Sequence, residues 1–313
     1  MNAEREWRSP SRRQQSSFTL IELLVAAALT VAIAALALSL MANALTRWNR
    51  AQGSLTTEGQ ARTVLDQLAL DLQSACHRDD GQVWLAATVQ ADTSASGAWI
   101  NGGKPVAGSL EPAATDLAEA RFGRAGVWLR FFTAAGRGRQ PAAPVAVAYQ
   151  IVRRAPTPAG HACHYLLYRS EVGAAETFAA GYDISGPSYA EPGTAGGSVA
   201  VPGLRQVLAE NVVDFGVRFL AAATDPATGR PVIQPVFPLN RADLEYRAGA
   251  RDPAEVRRAF PDIVDVMVRV LTDDGARQIA ALEAGQLGGD WWSIALAHSR
   301  VLTRRVRVRT NPT

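Results

Sequence analysis

The chain has 313 residues, of which 48% are hydrophobic and 19% are charged, and its formal net charge is +3. This length and composition favour a folded protein with a sizeable core over a disordered one. A net charge this small argues against nucleic acid as a partner. The two cysteines, Cys76 and Cys163, suit an exported protein with one disulfide, but an even pair alone decides nothing.

The first 45 residues combine a polar, arginine-containing segment with a long apolar one. Residues 1–17 contain four arginines, whereas no charged residue occurs from 23 to 45. As a helix, these 23 apolar positions would extend roughly 35 Å, which is enough to cross the apolar part of a bilayer. Because the arginines precede the span, the positive-inside rule predicts a cytoplasmic N-terminus and export of everything after about Arg47.

Three other interpretations of this segment fit less well. A cleaved secretory signal has an apolar region of about 7–15 residues, and this one is longer. A buried helix of a soluble protein would show a polar face, which is absent here. A plain membrane anchor leaves Glu22 unexplained, because a carboxylate inside an apolar span costs on the order of 2–3 kcal/mol near the helix centre and somewhat less near the interface.

Residues 17–22 (SFTLIE), followed by the apolar segment, resemble the class III signal of type IV prepilins and type II secretion pseudopilins. The resemblance implies that a prepilin peptidase cuts between Ser17 and Phe18 and then methylates the new amino group of Phe18. Ser17 is a departure, since the family normally has glycine before the cut. The resemblance also implies that Glu22 pairs in the filament with the Phe18 amine of a neighbouring subunit, which would compensate the buried carboxylate.

The predicted spine helix continues beyond the apolar segment as an amphipathic half over residues 46–78. Apolar side chains recur there at three- and four-residue spacing at Val64, Leu65, Leu68, Leu72 and Cys76. The polar side chains of Asp66, Gln67, Asp71 and Gln73 fall off this stripe. We expect the stripe to lie against a sheet.

After residue 78 the pattern changes to short strands separated by loops. Strands are predicted over 82–89, 127–132, 145–153, 164–170, 207–220, 263–271 and 305–309, with 145–153 and 164–170 forming a hairpin. Loops are predicted over 92–116 and 183–203. Thr272 is predicted to cap a short helix that ends at Gly285. The arginines that alternate in the last strand are expected to line a solvated face or to protect an edge strand.

Several strands after one long helix predict an α+β fold, with a spine helix and a mainly antiparallel β head. The predicted divisions are a cytoplasmic leader peptide (1–17), the transmembrane or filament-core half of the spine (18–45), its amphipathic half (46–78) and the exported head (79–313).

A second resemblance concerns the head. Residues 65–72 (LDQLALDL), 167–169 (LYR) and 208–212 (LAENV), the last leading into Phe215 and Phe219, are similar to large minor pilins of the PilW type and to J-type minor pseudopilins. This resemblance, together with the length of the chain, implies a minor or tip-located subunit.

Catalytic and metal-binding patterns are weak. Cys76-His77 and residues 161–164 (HACH) lack the paired spacing of a zinc site. A disulfide between Cys76 and Cys163 is the favoured interpretation, and two unpaired core cysteines remain an alternative. The paired acids at 79–80 and 273–274 bring no further oxygen ligands for calcium. No phosphate-binding loop or hydrolase serine pattern occurs, so we expect neither an enzyme nor a cofactor.

The sequence therefore predicts a minor pilin or pseudopilin of a type IV pilus or type II secretion system. Its expected location is the bacterial inner membrane, with the head in the periplasm, and later the pilus or pseudopilus. Expected partners are prepilin peptidase, other pilin subunits through the N-terminal helix, an inner-membrane assembly platform and a secreted cargo or adhesin. The alternative is a membrane-anchored, exported binding module with no filament role.

Overall fold

The computed structural model describes residues 19–90, 126–134, 143–154, 164–239, 243–249 and 259–308, without the side chains of 43 and 45–55. The chain divides into two compact units, residues 1–52 and 53–313. The leader segment 1–17, the predicted loop 92–116 and the connection 155–163 lie outside the described residues.

The longest element is helix α1, which runs over Leu20–Gln73. Of the five residues in the predicted apolar stripe, Val64, Leu65, Leu68 and Leu72 are buried as expected, and Cys76 is partly buried against the core. Two expectations are wrong. The helix ends at Gln73 and not near 78, because Ala75 pairs with Thr133 of a neighbouring strand and the Cys76 amide donates to the carbonyl of Phe132 at 2.8 Å.

The second error concerns Asp71, which the stripe placed off the buried face. Its side chain is fully buried. The buried arc of α1 is wider than the apolar stripe, since Ala61 and Ala69 are also buried while Leu70 is 58% exposed. A helix that contacts strands over such a wide arc can bury polar groups that a narrow amphipathic pattern would place in solvent.

The described part of the head contains ten strands: β1 (Leu85–Val89), β2 (Val127–Thr133), β3 (Val145–Arg154), β4 (His164–Glu171), β5 (Val207–Glu210), β6 (Val212–Thr224), β7 (Pro231–Phe237), β8 (Glu245–Ala248), β9 (Ile263–Leu271) and β10 (Ser299–Arg307). In the described chain they make a six-stranded sheet of order β5-β4-β3-β2-β1-β8 and a four-stranded sheet of order β10-β9-β6-β7. Every strand pair is antiparallel.

The remaining described helices are short: α2 (Ala174–Ala180), α3 (Pro187–Ala190), α4 (Asp273–Glu283) and α5 (Trp291–Ala297). The predicted cap of α4 is confirmed, because the Thr272 hydroxyl accepts a hydrogen bond from the Gly275 amide at 3.2 Å. The segment 183–203 is not wholly a loop, since it contains α3 and a 3₁₀ turn at Gly197–Val199.

Among the strands, the predicted hairpin is confirmed as β3 and β4, and β2 and β9 lie where expected. The predicted strand 207–220 is two strands in different sheets, because Asn211 adopts a positive φ of 60° that turns the chain between them. The predicted last strand begins earlier than expected, at Ser299, and residue 309 lies outside the described chain. The sequence patterns missed β7, β8, α2 and α5.

The main core of the described head is a cluster of buried apolar side chains from the second half of α1 and both sheets, and a small second cluster contains Val152, Leu166 and Tyr168. The largest fully buried side chains of the main core include Trp84, Phe131, Phe132 and Phe215. Gly126 marks a close approach of two strands: its φ is +68°, and a Cβ there would lie 2.4 Å from the Phe215 carbonyl oxygen. The structure therefore confirms an α+β chain, with an N-terminal apolar helix followed by an antiparallel β head.

Candidate functional site

The start of α1 is a capping box. Thr19 precedes the first helical residue, and Glu22 is the third residue of the helix. The Thr19 amide and hydroxyl both donate to Glu22 Oε2, each at 3.0 Å, and the Glu22 amide donates to Thr19 Oγ1 at 3.4 Å. This reciprocal arrangement satisfies backbone N–H groups that a helix start otherwise leaves without partners.

The capping box gives Glu22 a local role that the sequence analysis missed. The signal was present as Thr19-x-x-Glu22, the pattern of a helix start. Ser17 and Phe18, the predicted processing residues, lie outside the described residues. Both hydrogen bonds to the carboxylate of Glu22 end on Oε2. The oxygen Oε1 takes part in neither bond and keeps its capacity to accept from a cation.

The helix that follows the capping box exposes an apolar surface. Residues Leu20–Ala42 form a 23-residue span that is long and apolar enough to cross a membrane. Twelve large apolar side chains between Leu20 and Met41 are 52–83% exposed. The hydroxyl of Thr30 donates to the Ala26 carbonyl at 2.8 Å, which satisfies this polar group within the helix. The hydroxyl of Thr30 can therefore lie in an apolar environment without an unsatisfied hydrogen-bond donor.

A second polar cluster lies inside the head, where α1 meets the six-stranded sheet. Arg169 of β4 donates to both carboxylate oxygens of Asp71, from Nε at 2.6 Å and from Nη2 at 3.0 Å. Its third donor, Nη1, reaches Glu171 at 2.6 Å. The Tyr149 hydroxyl of β3 and the Gln67 amide donate to Asp71 at 2.5 and 3.2 Å. The cluster fastens the last turns of α1 to two strands.

The electrostatics of this cluster follow from burial and from the ion pair. Burial, followed by the nearby Asp71 charge, raises the pKa of Tyr149 well above its ordinary value of 10. Burial lowers the pKa of Arg169, but hydrogen bonds and charge interactions, those with Asp71 foremost, outweigh burial and raise it. Arg169 stays charged and Tyr149 stays protonated at neutral pH, which is the behaviour of a structural tie.

Glu283 of α4 forms the centre of a third polar group, beside a groove of about 610 Å³ between α4 and the β3–β4 hairpin. Its carboxylate accepts hydrogen bonds from Arg153 at 2.8 Å, from Trp291 at 3.1 Å and from the Tyr165 hydroxyl. Across the described ranges, no group of three or more His, Cys, Asp or Glu side chains is placed to hold a metal ion.

The predicted disulfide remains a prediction. Cys76 is a half-buried free thiol in the structure, and burial raises its pKa. Cys163 lies outside the described residues.

The comparisons with known proteins concern the N-terminus. The family described as the prokaryotic N-terminal methylation motif matches residues 12–38. This match supports a type IV pilin-like protein. It covers Ser17, Phe18 and Glu22 of the pilin-like chain and implies processing by prepilin peptidase and assembly with other pilins. No curated protein and no solved structure matches the chain. The α+β architecture is consistent with a pilin fold, and the apolar helix and motif fit an inner-membrane-anchored pilin.

Proposed function

We propose that this chain is a minor pilin or pseudopilin, a structural subunit of a type IV pilus or type II secretion pseudopilus, and not an enzyme. One observation carries the proposal: the methylation motif at residues 12–38 coincides with a helix whose apolar side chains are exposed over Leu20–Ala42. A minor position of the PilW or J type agrees with the length of the chain and with its large two-sheet head.

The exposed helix needs an apolar surrounding at both stages of the proposed life cycle. Before assembly, the bilayer supplies it, with the head in the periplasm. After assembly, the helices of neighbouring subunits replace the lipid, and the apolar surface becomes the core of a filament. Extraction would require an inner-membrane assembly platform, and a tip position would bring a secreted cargo or adhesin into contact with the head.

The charge of Glu22 gives this packing its register. Cleavage between Ser17 and Phe18 would create an amino group four positions before Glu22, and it would leave the Thr19 amide and the capping box intact. With Oε2 bound to Thr19, the oxygen Oε1 is available to the Phe18 amine of a neighbouring subunit. A buried carboxylate is tolerable only beside such a cation, so the pair would set the axial stagger between subunits.

The mature N-terminus tests the processing step. Intact-mass and peptide mass spectrometry of the protein from its native membrane should find N-methyl-phenylalanine, derived from Phe18, as the first residue. A chain that still begins at Met1 would show that Ser17 blocks the peptidase, and the filament proposal would fail. Deleting the pilus motor or, separately, the secretion platform of the host should abolish incorporation in one case only, which distinguishes the two systems.

The second candidate function is a membrane-anchored binding module with no filament role. The groove beside Glu283, which is lined by apolar side chains such as Ile279 together with polar ones such as Arg153, favours it. The two functions separate by experiment: substitution of Glu22 should abolish filament incorporation if the first is right and change nothing if only the second is right.

A further inference from the structure

Among the described residues, one side of the edge strand β10 has no strand partner. β10 (Ser299–Arg307) pairs with β9 on one side only. At its two ends, the Val308 amide donates to the Asp262 carbonyl at 2.9 Å and the Thr272 amide donates to the His298 carbonyl at 2.8 Å. Because hydrogen-bonded and non-hydrogen-bonded pairs alternate along an antiparallel ladder, the even-numbered residues of β10 face β9. The odd-numbered residues therefore direct their N–H and C=O groups outward.

These outward groups belong to five residues: Ser299, Val301, Thr303, Arg305 and Arg307. In the ranges that the structure describes, no backbone hydrogen bond joins them to another segment. A strand edge of this length is a template for the addition of another strand. The opposite edge of the same sheet, β7, offers less, because Pro231 and Pro235 lack an N–H group.

Arginines border the open edge on both faces of the sheet. Arg300 and Arg304 lie on one face, Arg305 and Arg307 lie on the other, and all four are exposed. Arg304 pairs with Asp66 of α1, and Arg305 pairs with Asp265 at 2.6 Å.

Arg300 and Arg307, near the two ends of β10, form no ion pair in the part of the chain that the structure describes. Neither Arg300 nor Arg307 has a carboxylate within 4.0 Å among the described residues. The edge therefore carries two exposed arginines that form no ion pair with a described residue.

We propose that β10 accepts an extended, acidic segment of another protein as an additional strand. The open backbone groups would supply the hydrogen bonds, and the arginines on both faces would select for carboxylates opposite them. A second copy of this chain is a poorer occupant, because its own β10 would bring four more arginines to the same edge. The same arginines disfavour nonspecific pairing of the edge with uncharged strands of other proteins. The proposal does not depend on filament assembly.

Hydrogen exchange on the full chain in detergent or a nanodisc tests the geometry. The probe is a capped peptide as long as β10 that carries glutamates on both of its faces among threonines, and the control peptide has lysine in place of glutamate. The acidic peptide should slow exchange at the amides of Val301, Thr303, Arg305 and Arg307, while the even-numbered amides, already bonded to β9, should change little. Protection without this alternation, or no protection by the acidic peptide at millimolar concentration, would overturn the proposal.

Variants test separately the contribution of the backbone hydrogen bonds and that of the arginine charges. Thr303→Pro removes one outward N–H without touching the β9 ladder and should weaken peptide binding about fivefold or more, whereas Thr303→Val keeps the N–H and should bind normally. The double variant Arg300→Glu with Arg307→Glu should reverse the preference towards the lysine peptide. If the circular dichroism spectrum shows that Thr303→Pro disturbs the fold, the peptide preference of the double variant alone tests the proposal. Unchanged peptide preference in the double variant, or dimerisation of the wild type through β10, contradicts the proposal.

Discussion

Replacing Glu22 by glutamine separates the two roles that the N-terminus assigns to this side chain. Glutamine keeps a carbonyl oxygen in the position of Oε2, so it still accepts from the Thr19 amide and hydroxyl and preserves the capping box. It removes the negative charge that is proposed to pair with the Phe18 amine of a neighbour. Alanine at the same position removes both the cap and the charge.

The expected magnitudes of the two effects differ enough to decide between them. Loss of a capping interaction costs about 1 kcal/mol, or roughly fivefold in an equilibrium. Loss of one partner of a buried ion pair leaves the other charge uncompensated and costs about 3–5 kcal/mol, which is a hundredfold or more. If pairing is the dominant role, Glu22→Gln and Glu22→Ala should therefore both abolish incorporation.

The assay compares wild type, Glu22→Gln, Glu22→Ala and Thr19→Ala for membrane level, N-terminal methylation and recovery in sheared filaments. Thr19→Ala weakens the cap and keeps the charge, so it should retain most incorporation. Membrane level and methylation should be unchanged in both Glu22 variants, which would locate the defect in assembly. A glutamine variant that enters filaments like the wild type, while the alanine variant does not, would refute the ion pair and leave capping as the function of Glu22.

The other predictions concern the head. Asp71→Ala should lower the free energy of unfolding, measured by urea denaturation, by about 3–5 kcal/mol, because it leaves the charge of Arg169 buried without a partner. Arg169→Ala should lower it by a similar amount. A loss below about 1 kcal/mol in either variant would contradict a stabilising buried ion pair. Because the pKa of Tyr149 is raised in the folded state, its stabilising contribution is complete below about pH 10, the ordinary tyrosine value, and should decline as the pH rises above it. Tyr149→Phe should make this alkaline decline less steep, and an identical slope would count against the assignment. If Cys76 and Cys163 are bonded, alkylation of the denatured, unreduced protein should label neither; labelling of Cys76 would refute the disulfide.

Sequence alone determined the features that depend on neighbouring residues. The apolar run from Leu20 to Ala42 and the motif at residues 17–22 are contiguous, so composition and spacing were enough to predict a membrane-length helix and a pilin-like start. The β3–β4 hairpin and the Thr272 cap were also local, because a hairpin joins consecutive strands and a cap acts within one turn.

Tertiary structure decided what depends on residues far apart in the chain. Asp71 and Arg169 are 98 positions apart, and only the packing of α1 on the six-stranded sheet turns an expected surface carboxylate into a buried ion pair. The open edge of β10 likewise follows from its pairing with β9 on one side only. The pattern at 207–220 correctly predicted β structure but did not predict the turn at Asn211. The positive φ of Asn211 divides this segment into β5 and β6, which belong to different sheets. A sequence pattern reports which side of an element prefers burial, whereas sheet order determines which groups it meets there.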